Sequence, residues 1–282
     1  TIYYFKMRFT ISRKEKVKQF NEIIKKMQKV CPEVNFVFDT DGLYAQGMNS
    51  SHVIIFELKL KKDWFDEYEC TRTSIMGVNC SVLSAVHNCI LEGQKIKWSY
   101  YHDSTEELLV YFEGTGFDKE FEVKLMDIDT EQLEIPEIEY NVDMSLNSQD
   151  WSKIMSQMNT FGEKTRISLG SDEEQNVYIK TNGDIGKMQV TIKQEQLQEF
   201  AIEEGQKIEI EFSTKFLLLM SEFSSLNSTS NLHFSSDYPM KMCLSLDHWM
   251  EEDDENEEIN SYIKFYLAPC VGDEDEIEGI EM

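Results

Sequence analysis

The chain of 282 residues is short of positive charge: 27 lysines and arginines stand against 53 aspartates and glutamates, a formal net charge of −26. That sign excludes a protein that simply adheres to a polyanion, because phosphate binding needs a cationic surface. Any contact with nucleic acid has to be confined to a small basic face. No apolar run reaches membrane-spanning length and no signal-peptide pattern is present, so the expectation is a soluble, intracellular protein. The cysteines, Cys31, Cys70, Cys80, Cys89, Cys243 and Cys270, include no Cys-x-x-Cys pair. They read as small apolar fillers in a reducing compartment. His52, His87, His102, His233 and His248 are scattered, with no His-x-x-x-His. There is no Gly-x-Ser-x-Gly, no glycine-rich phosphate cradle and no EF-hand loop. Carboxylates are so numerous that no pair stands out as catalytic. These absences point away from an enzyme, and no metal or cofactor is expected.

What is present is enough chain for two domains with separate cores. The clearest helix is predicted over residues 13–30, with Ser12 and Glu15 as a capping box and Pro32 beyond its end. At 100° per residue Val17, Phe20, Ile23, Ile24, Met27 and Val30 share one side, and Lys14, Lys18, Lys25 and Lys29 form a narrow stripe opposite. Lysines populate any solvent face, but this stripe stands out against an acidic background. Lys16 falls outside the stripe and is assigned to a fraying first turn. Shorter helices are predicted at about 81–90, 149–159 and 213–223. Their apolar sides are Val82, Val86 and Ile90; Trp151, Ile154, Met155 and Met158; and Phe216, Leu219, Met220 and Phe223. Alternating runs at 54–60, 108–112, 120–125, 176–180, 187–192 and 207–212 read as strands. Two halves of this kind describe a duplicated α+β fold, with helices on one face of antiparallel sheets. Acid is concentrated in 251–258, where seven of eight residues are acidic, and in 273–281, where six of nine are. Those runs read as a solvated loop and a flexible tail.

Residues 123–140 join the halves. Five of them between Asp127 and Glu137 are acidic, and Pro136 breaks any regular element. Leu125, Met126, Ile128, Leu133, Ile135, Ile138 and Tyr140 keep neither helical nor alternating spacing. An extended linker with apolar side chains rests on something or offers a partner something to rest on. Several short motifs accompany it in order along nearly the whole chain: Phe5-Lys-Met-Arg8, Met48-Asn-Ser-Ser-His-Val53, Tyr68-Glu-Cys-Thr-Arg72, Ile75-Met-Gly-Val-Asn79, Leu125-Met-Asp127, Glu131-Gln-Leu133, Ile135-Pro-Glu137 and Tyr266-Leu-Ala-Pro269. With them the sequence resembles the eukaryotic-type DNA sliding clamps, the proliferating cell nuclear antigen family.

The resemblance implies an N-terminal clamp domain over 1–124, an interdomain connector over 125–141 and a C-terminal clamp domain over 142–282. Three subunits would close head to tail into a ring whose helices line a central hole. Edge strands near 117–125 and 184–193 would pair between subunits and bury Phe121. DNA contact is expected from Lys14, Lys18, Lys25, Lys29, Lys153 and Lys215. Several lining positions depart from the family's basic pattern: Ala85, Asn88, Ser156 and Glu222, the last seven residues after Lys215 and expected on its face. Ser171 stands where the family carries a modifiable lysine. A groove for partner peptides is expected from Met48, His52, Val53, Leu133, Ile135 and Pro136, with a second wall of Tyr238, Pro239, Tyr266, Ala268, Pro269 and Val271. The implied function is a homotrimeric polymerase processivity factor, tethering replication and repair proteins that carry glutamine and aromatic peptide motifs. An ATP-dependent loader is implied, and a nuclear location, or a cytoplasmic replication site for a viral member. A subunit of a heterotrimeric checkpoint clamp, an acidic histone-chaperone-like protein and a metal-dependent nuclease are the rival readings. The lysine stripe and the connector favour the clamp.

Overall fold

The computed structural model describes residues 5–101, 106–129, 132–170, 175–247 and 261–270. His102, Glu131, Ser171, His248, Val271 and the two acidic runs lie outside the described residues. Two units are distinguished, Thr1–Pro136 with Cys243–Phe265, and Glu137–Met242 with Tyr266–Met282.

In the first unit the chain runs β1 (Phe5–Ile11), α1 (Lys14–Met27), β2 (Glu33–Phe38), β3 (Gly42–Met48), β4 (Ile54–Lys61), β5 (Glu67–Cys70), β6 (Ser74–Asn79), α2 (Cys80–His87), β7 (Gln94–Tyr101), β8 (Glu107–Gly114) and β9 (Lys119–Lys124). One antiparallel sheet has the order β5-β1-β7-β8-β9, and a second run of antiparallel pairs is β4-β3-β2-β6. Trp98 on β7 is fully buried. The rings of Phe9, Phe20, Phe36 and His87 surround it at 5.3–5.8 Å. Helix α1 buries Phe20, Ile23, Ile24 and Met27 into this core, each contributing about 1.5–3 kcal/mol of transfer free energy.

The second unit repeats the plan with β10 (Val142–Asn147), α3 (Ser148–Phe161), β11 (Lys164–Leu169), β12 (Val177–Gly183), β13 (Gly186–Ile192), β14 (Glu199–Ile202), β15 (Ile208–Ser213), α4 (Thr214–Ser221) and β16 (Thr229–Phe234). Strands β17 (Met240–Ser245) and β18 (Tyr262–Leu267) follow, with Cys243–Ser245 and Tyr262–Phe265 counted in the first unit. Here a four-stranded sheet has the order β13-β12-β11-β15, and β14-β10-β16 pair antiparallel. The fully buried Trp151, Met155 and Met158 of α3 anchor the core. The duplication extends to capping: Asn79 accepts from Ser81 N and Val82 N at 3.0 and 3.1 Å, and Asn147 from Gln149 N and Asp150 N at 2.9 and 3.3 Å. Each side chain satisfies two amides that the helix leaves without carbonyls.

Four expectations are corrected. Helix α1 has no Ser12–Glu15 capping box; the carboxylate of Asp66, distant in sequence, accepts from Ser12 N and Arg13 N and from Arg13 Nε. Burial pushes Asp66 upward, but these donors outweigh it and hold its pKa below the ordinary value. Lys16 is not frayed. It is buried, donates from Nζ to Trp64 O at 2.6 Å and lies 4.9 Å from the Trp64 ring centroid. The buried side of α2 is Leu83, Ser84 and His87, while Val82 is 49% exposed. Helix α4 buries Thr214, Leu217, Met220 and Ser221. Its last residue is Ser221, and Glu222 caps it in helical φ and ψ with its N–H donating to Leu218 O, two turns after Lys215 as expected.

Candidate functional site

The connector is laid across one row of the β6-β2-β3 surface. Gly77 stands opposite Asn35, and Asn35 opposite Gln46. Each of the three holds a successive point of the linker. Met126 N donates to Gly77 O at 2.9 Å, Asn35 Nδ2 donates to Ile128 O at 3.1 Å, and Gln46 meets Leu133 twice. Its Nε2 donates to Leu133 O at 3.0 Å, and its Oε1 accepts from Leu133 N at 2.8 Å. A chain with no regular ladder of its own thereby satisfies its backbone through one bridge to Gly77 and the side chains of Asn35 and Gln46. Glycine at 77 is a packing requirement, since a Cβ there would lie 2.2 Å from Met126 O. The apolar side chains are left presentable: Leu133 is 42% exposed, Ile135 half-buried and Pro136 exposed.

Beside this strap, the loop between β3 and β4 is built around Asn49. Its Oδ1 accepts from Val53 N and Ile54 N at 2.9 and 3.1 Å, and its Nδ2 donates to Ser51 Oγ at 2.7 Å. The turn closes with His52 N donating to Asn49 O, and His52 takes a left-handed φ of 58°. That conformation is uncommon for a side chain with a Cβ. Met48 and Val53 are half-buried and His52 is exposed. Sequence reasoning named Met48, His52, Val53, Leu133, Ile135 and Pro136 but missed Gln46, which holds Leu133, Asn49, which holds the turn at Val53, and Asn35, which holds Ile128.

The other expected wall lies on the second unit. Tyr238, 46% exposed, and Pro239 lie between β16 and β17. Tyr266 is half-buried on β18, and Ala268 and Pro269 follow it.

Helix α1 carries Lys14 and Lys18, exposed, and Lys25, half-buried, opposite its buried face, while Lys29, also exposed, lies in the turn after the helix. Part of the charge is already paired. Lys14 Nζ donates to Glu92 Oε1 at 2.7 Å, and Glu22 pairs with Lys25 and Lys26 at 3.5 and 3.1 Å. On the other helices Lys153 meets Asp150 at 3.1 Å, and Lys215 lies 5.7 Å from the Phe216 ring. The expected junction strands are both sheet edges: β9 ends the five-stranded sheet and β13 the four-stranded one. Phe121 on β9 is half-buried, 5.6 Å from the ring of Phe112.

Of the cysteines, Cys31, Cys80 and Cys243 are buried as fillers, Cys70 and Cys270 are intermediate and Cys89 is exposed; all six are free. Among the described residues no helix is long and apolar enough to cross a membrane.

Comparison with known proteins covers both halves. Residues 12–133 match the family described as proliferating cell nuclear antigen, N-terminal domain, and residues 134–252 match its C-terminal domain. The proliferating cell nuclear antigen of Chaetomium thermophilum is 28% identical over 271 residues, spanning 94% of this chain and 99% of that protein.

Proposed function

We propose that this chain, which belongs to the proliferating cell nuclear antigen family of DNA sliding clamps, is a processivity factor that encircles duplex DNA as a closed homotrimer and tethers its partners through the connector. The clamp domains are 1–124 and 142–282, joined by the connector at 125–141. The observation that carries the tethering role is the strap itself. Gly77, Asn35 and Gln46 hold its backbone while Leu133 stays 42% exposed. A fixed backbone with an open aliphatic side chain is a pre-ordered anchor site, and ordering cost is a main term in peptide affinity. Clients are polymerases and repair proteins with an extended peptide of glutamine and paired aromatic residues, which takes Leu133, Ile135 and Pro136 of the connector as its anchors; Tyr238, Pro239, Tyr266, Ala268 and Pro269 of the second unit are further candidates.

Encirclement accounts for the net charge of −26. A ring linked topologically to DNA needs no tight grip, so a few lysines on α1, with Lys153 and Lys215, suffice to keep it on the phosphates and let it slide. The site of action is the nucleus, and an ATP-dependent loader opens the ring. The role is scaffolding, with no chemistry of its own. Charge reversal of Lys14, Lys18 and Lys25 to Glu tests the lining: polymerase stimulation on primed DNA is lost while peptide binding is kept. Stimulation equal to wild type removes α1 from the DNA-facing surface.

A further inference from the structure

We infer that the subunit junction is set in register by an ion pair between Glu122 on β9 of one subunit and Lys187 on β13 of the next. The inference rests on the closed homotrimer proposed above, with the edge strands β9 and β13 paired between subunits as the family resemblance implies, and supplies the register that this pairing leaves open. Both strands are sheet edges with strict alternation. On β9, Glu120, Glu122 and Lys124 are exposed, while Phe121 and Val123 face inward. On β13, Lys187, Gln189 and Thr191 are exposed, while Met188, Val190 and Ile192 face inward. Every described ladder in the two sheets is antiparallel. Directly opposed residues share a face, and a slip of one residue turns the apolar set outward. Only registers two residues apart therefore remain.

Four such registers compete. With Phe121 opposite Ile192, no like charges are opposed, but Lys119 and Glu120 fall beyond the end of β13 and only four rungs form. With Phe121 opposite Val190, the apolar faces match well, but Lys124 falls directly on Lys187. With Phe121 opposite Gly186, only three rungs form and the phenylalanine meets no side chain. With Phe121 opposite Met188, the aromatic ring lies on a thioether side chain, Glu122 falls on Lys187 and Glu120 on Gln189. Lys180 lies beside Gln189 on the next strand, within reach of Glu120. Like charges directly opposed destabilise a sheet and opposite charges stabilise it, so charge chooses between two registers that apolar packing alone leaves close.

Further observations favour a second copy of this chain as the occupant. Neither Glu122 nor Lys187 makes an ion pair among the described residues, although Arg166 and Lys164 on the same sheet are paired with Glu209 and Glu211. The outer face of β11, β12 and β13 carries Lys164, Arg166, Lys180 and Lys187 in a chain that is otherwise strongly acidic. The β9 edge offers the complementary pair of glutamates. The contact is asymmetric, acidic edge to basic edge, which is what a head-to-tail ring requires and a two-fold dimer does not.

The test is sedimentation equilibrium of the full chain, at low salt and at about 0.5 M salt, on wild type, Glu122→Lys, Lys187→Glu and the double exchange. Glu122→Lys should raise the concentration for half-assembly roughly fivefold or more at low salt, Lys187→Glu less because it also relieves the Lys124 clash of the competing register, and the double exchange should return it to near the wild-type value. Added salt should shrink all the differences. Circular dichroism identifies any variant that fails to fold, and Glu122→Gln with Lys187→Gln then gives the same comparison without repulsion. A trimeric wild type whose single reversals assemble normally, or whose double exchange is no better than the singles, overturns this register. A wild type monomeric under every condition overturns the ring itself.

Discussion

Gln46 and Leu133 hold each other through two hydrogen bonds, the carboxamide giving one to the carbonyl and taking one from the amide, at 3.0 and 2.8 Å. This pairing copies a rung of sheet with a side chain in place of a strand. It fixes the connector next to its most exposed aliphatic residue. Gln46→Ala removes both bonds at a partly exposed place, a loss of about 1–2 kcal/mol in local ordering. Hydrogen exchange at the Leu133 amide should accelerate roughly tenfold, with β-sheet amides elsewhere unchanged and client-peptide affinity lowered. Unchanged exchange at Leu133 would mean that the strap is held by something else.

The anchors themselves are the next target. Ile135→Ala combined with Tyr266→Ala should cost about 2 kcal/mol or more in peptide binding, roughly thirtyfold in affinity. Deletion of residues 251–258 should leave that affinity nearly unchanged. Calorimetry with a glutamine-aromatic peptide separates the outcomes. Full affinity in the double variant relocates the partner site, and a loss on deleting the acidic run favours the chaperone-like alternative.

His87 makes the first unit acid-sensitive. It is fully buried between Phe20, Trp98 and Phe112, with Nδ1 3.1 Å from Asn21 Oδ1. Burial first, and then the charge of Lys25, push its pKa down to about 3 from an ordinary 6.5. A depressed pKa means that the folded state holds the neutral ring. The stability this provides is full above about pH 6.5 and is lost as pH falls toward 3, at up to about 1.4 kcal/mol per pH unit. Urea unfolding of wild type and His87→Leu between about pH 7 and pH 4 should give curves whose difference changes with that slope below pH 6. Parallel curves would place the acid sensitivity on other groups.

How much of this was legible beforehand follows from where each signal resides. The apolar period of α1 is local, and Phe20, Ile23, Ile24 and Met27 are buried as it predicts. The strands near 120–125 and 187–192 follow alternation in the same way. Helix α2 misled because its buried side includes Ser84 and His87 while Val82 faces solvent. A polar residue in a core is invisible to hydropathy until its partner, here Asn21, is known. Lys16 and the cap at Ser12 failed for the same reason: Trp64 and Asp66, on a distant turn, supply the partners. At the candidate site, the expectation named apolar residues and left out Asn35, Gln46 and Asn49, which hold the connector and its neighbouring turn. A polar residue on a strand or in a turn carries no local sign of what it will hold.

Threading on DNA tests the central claim most directly. The chain at micromolar concentration is mixed with linear duplex fixed at one end to a bead, its other end free or closed by a bulky protein block. A closed ring passes only over a free end, and once that end is subsequently blocked it should stay on the duplex through a high-salt wash. Cutting the duplex should release it, because the link is topological rather than ionic. Equal capture on DNA blocked from the start, or release by salt while both ends are closed, would contradict encirclement.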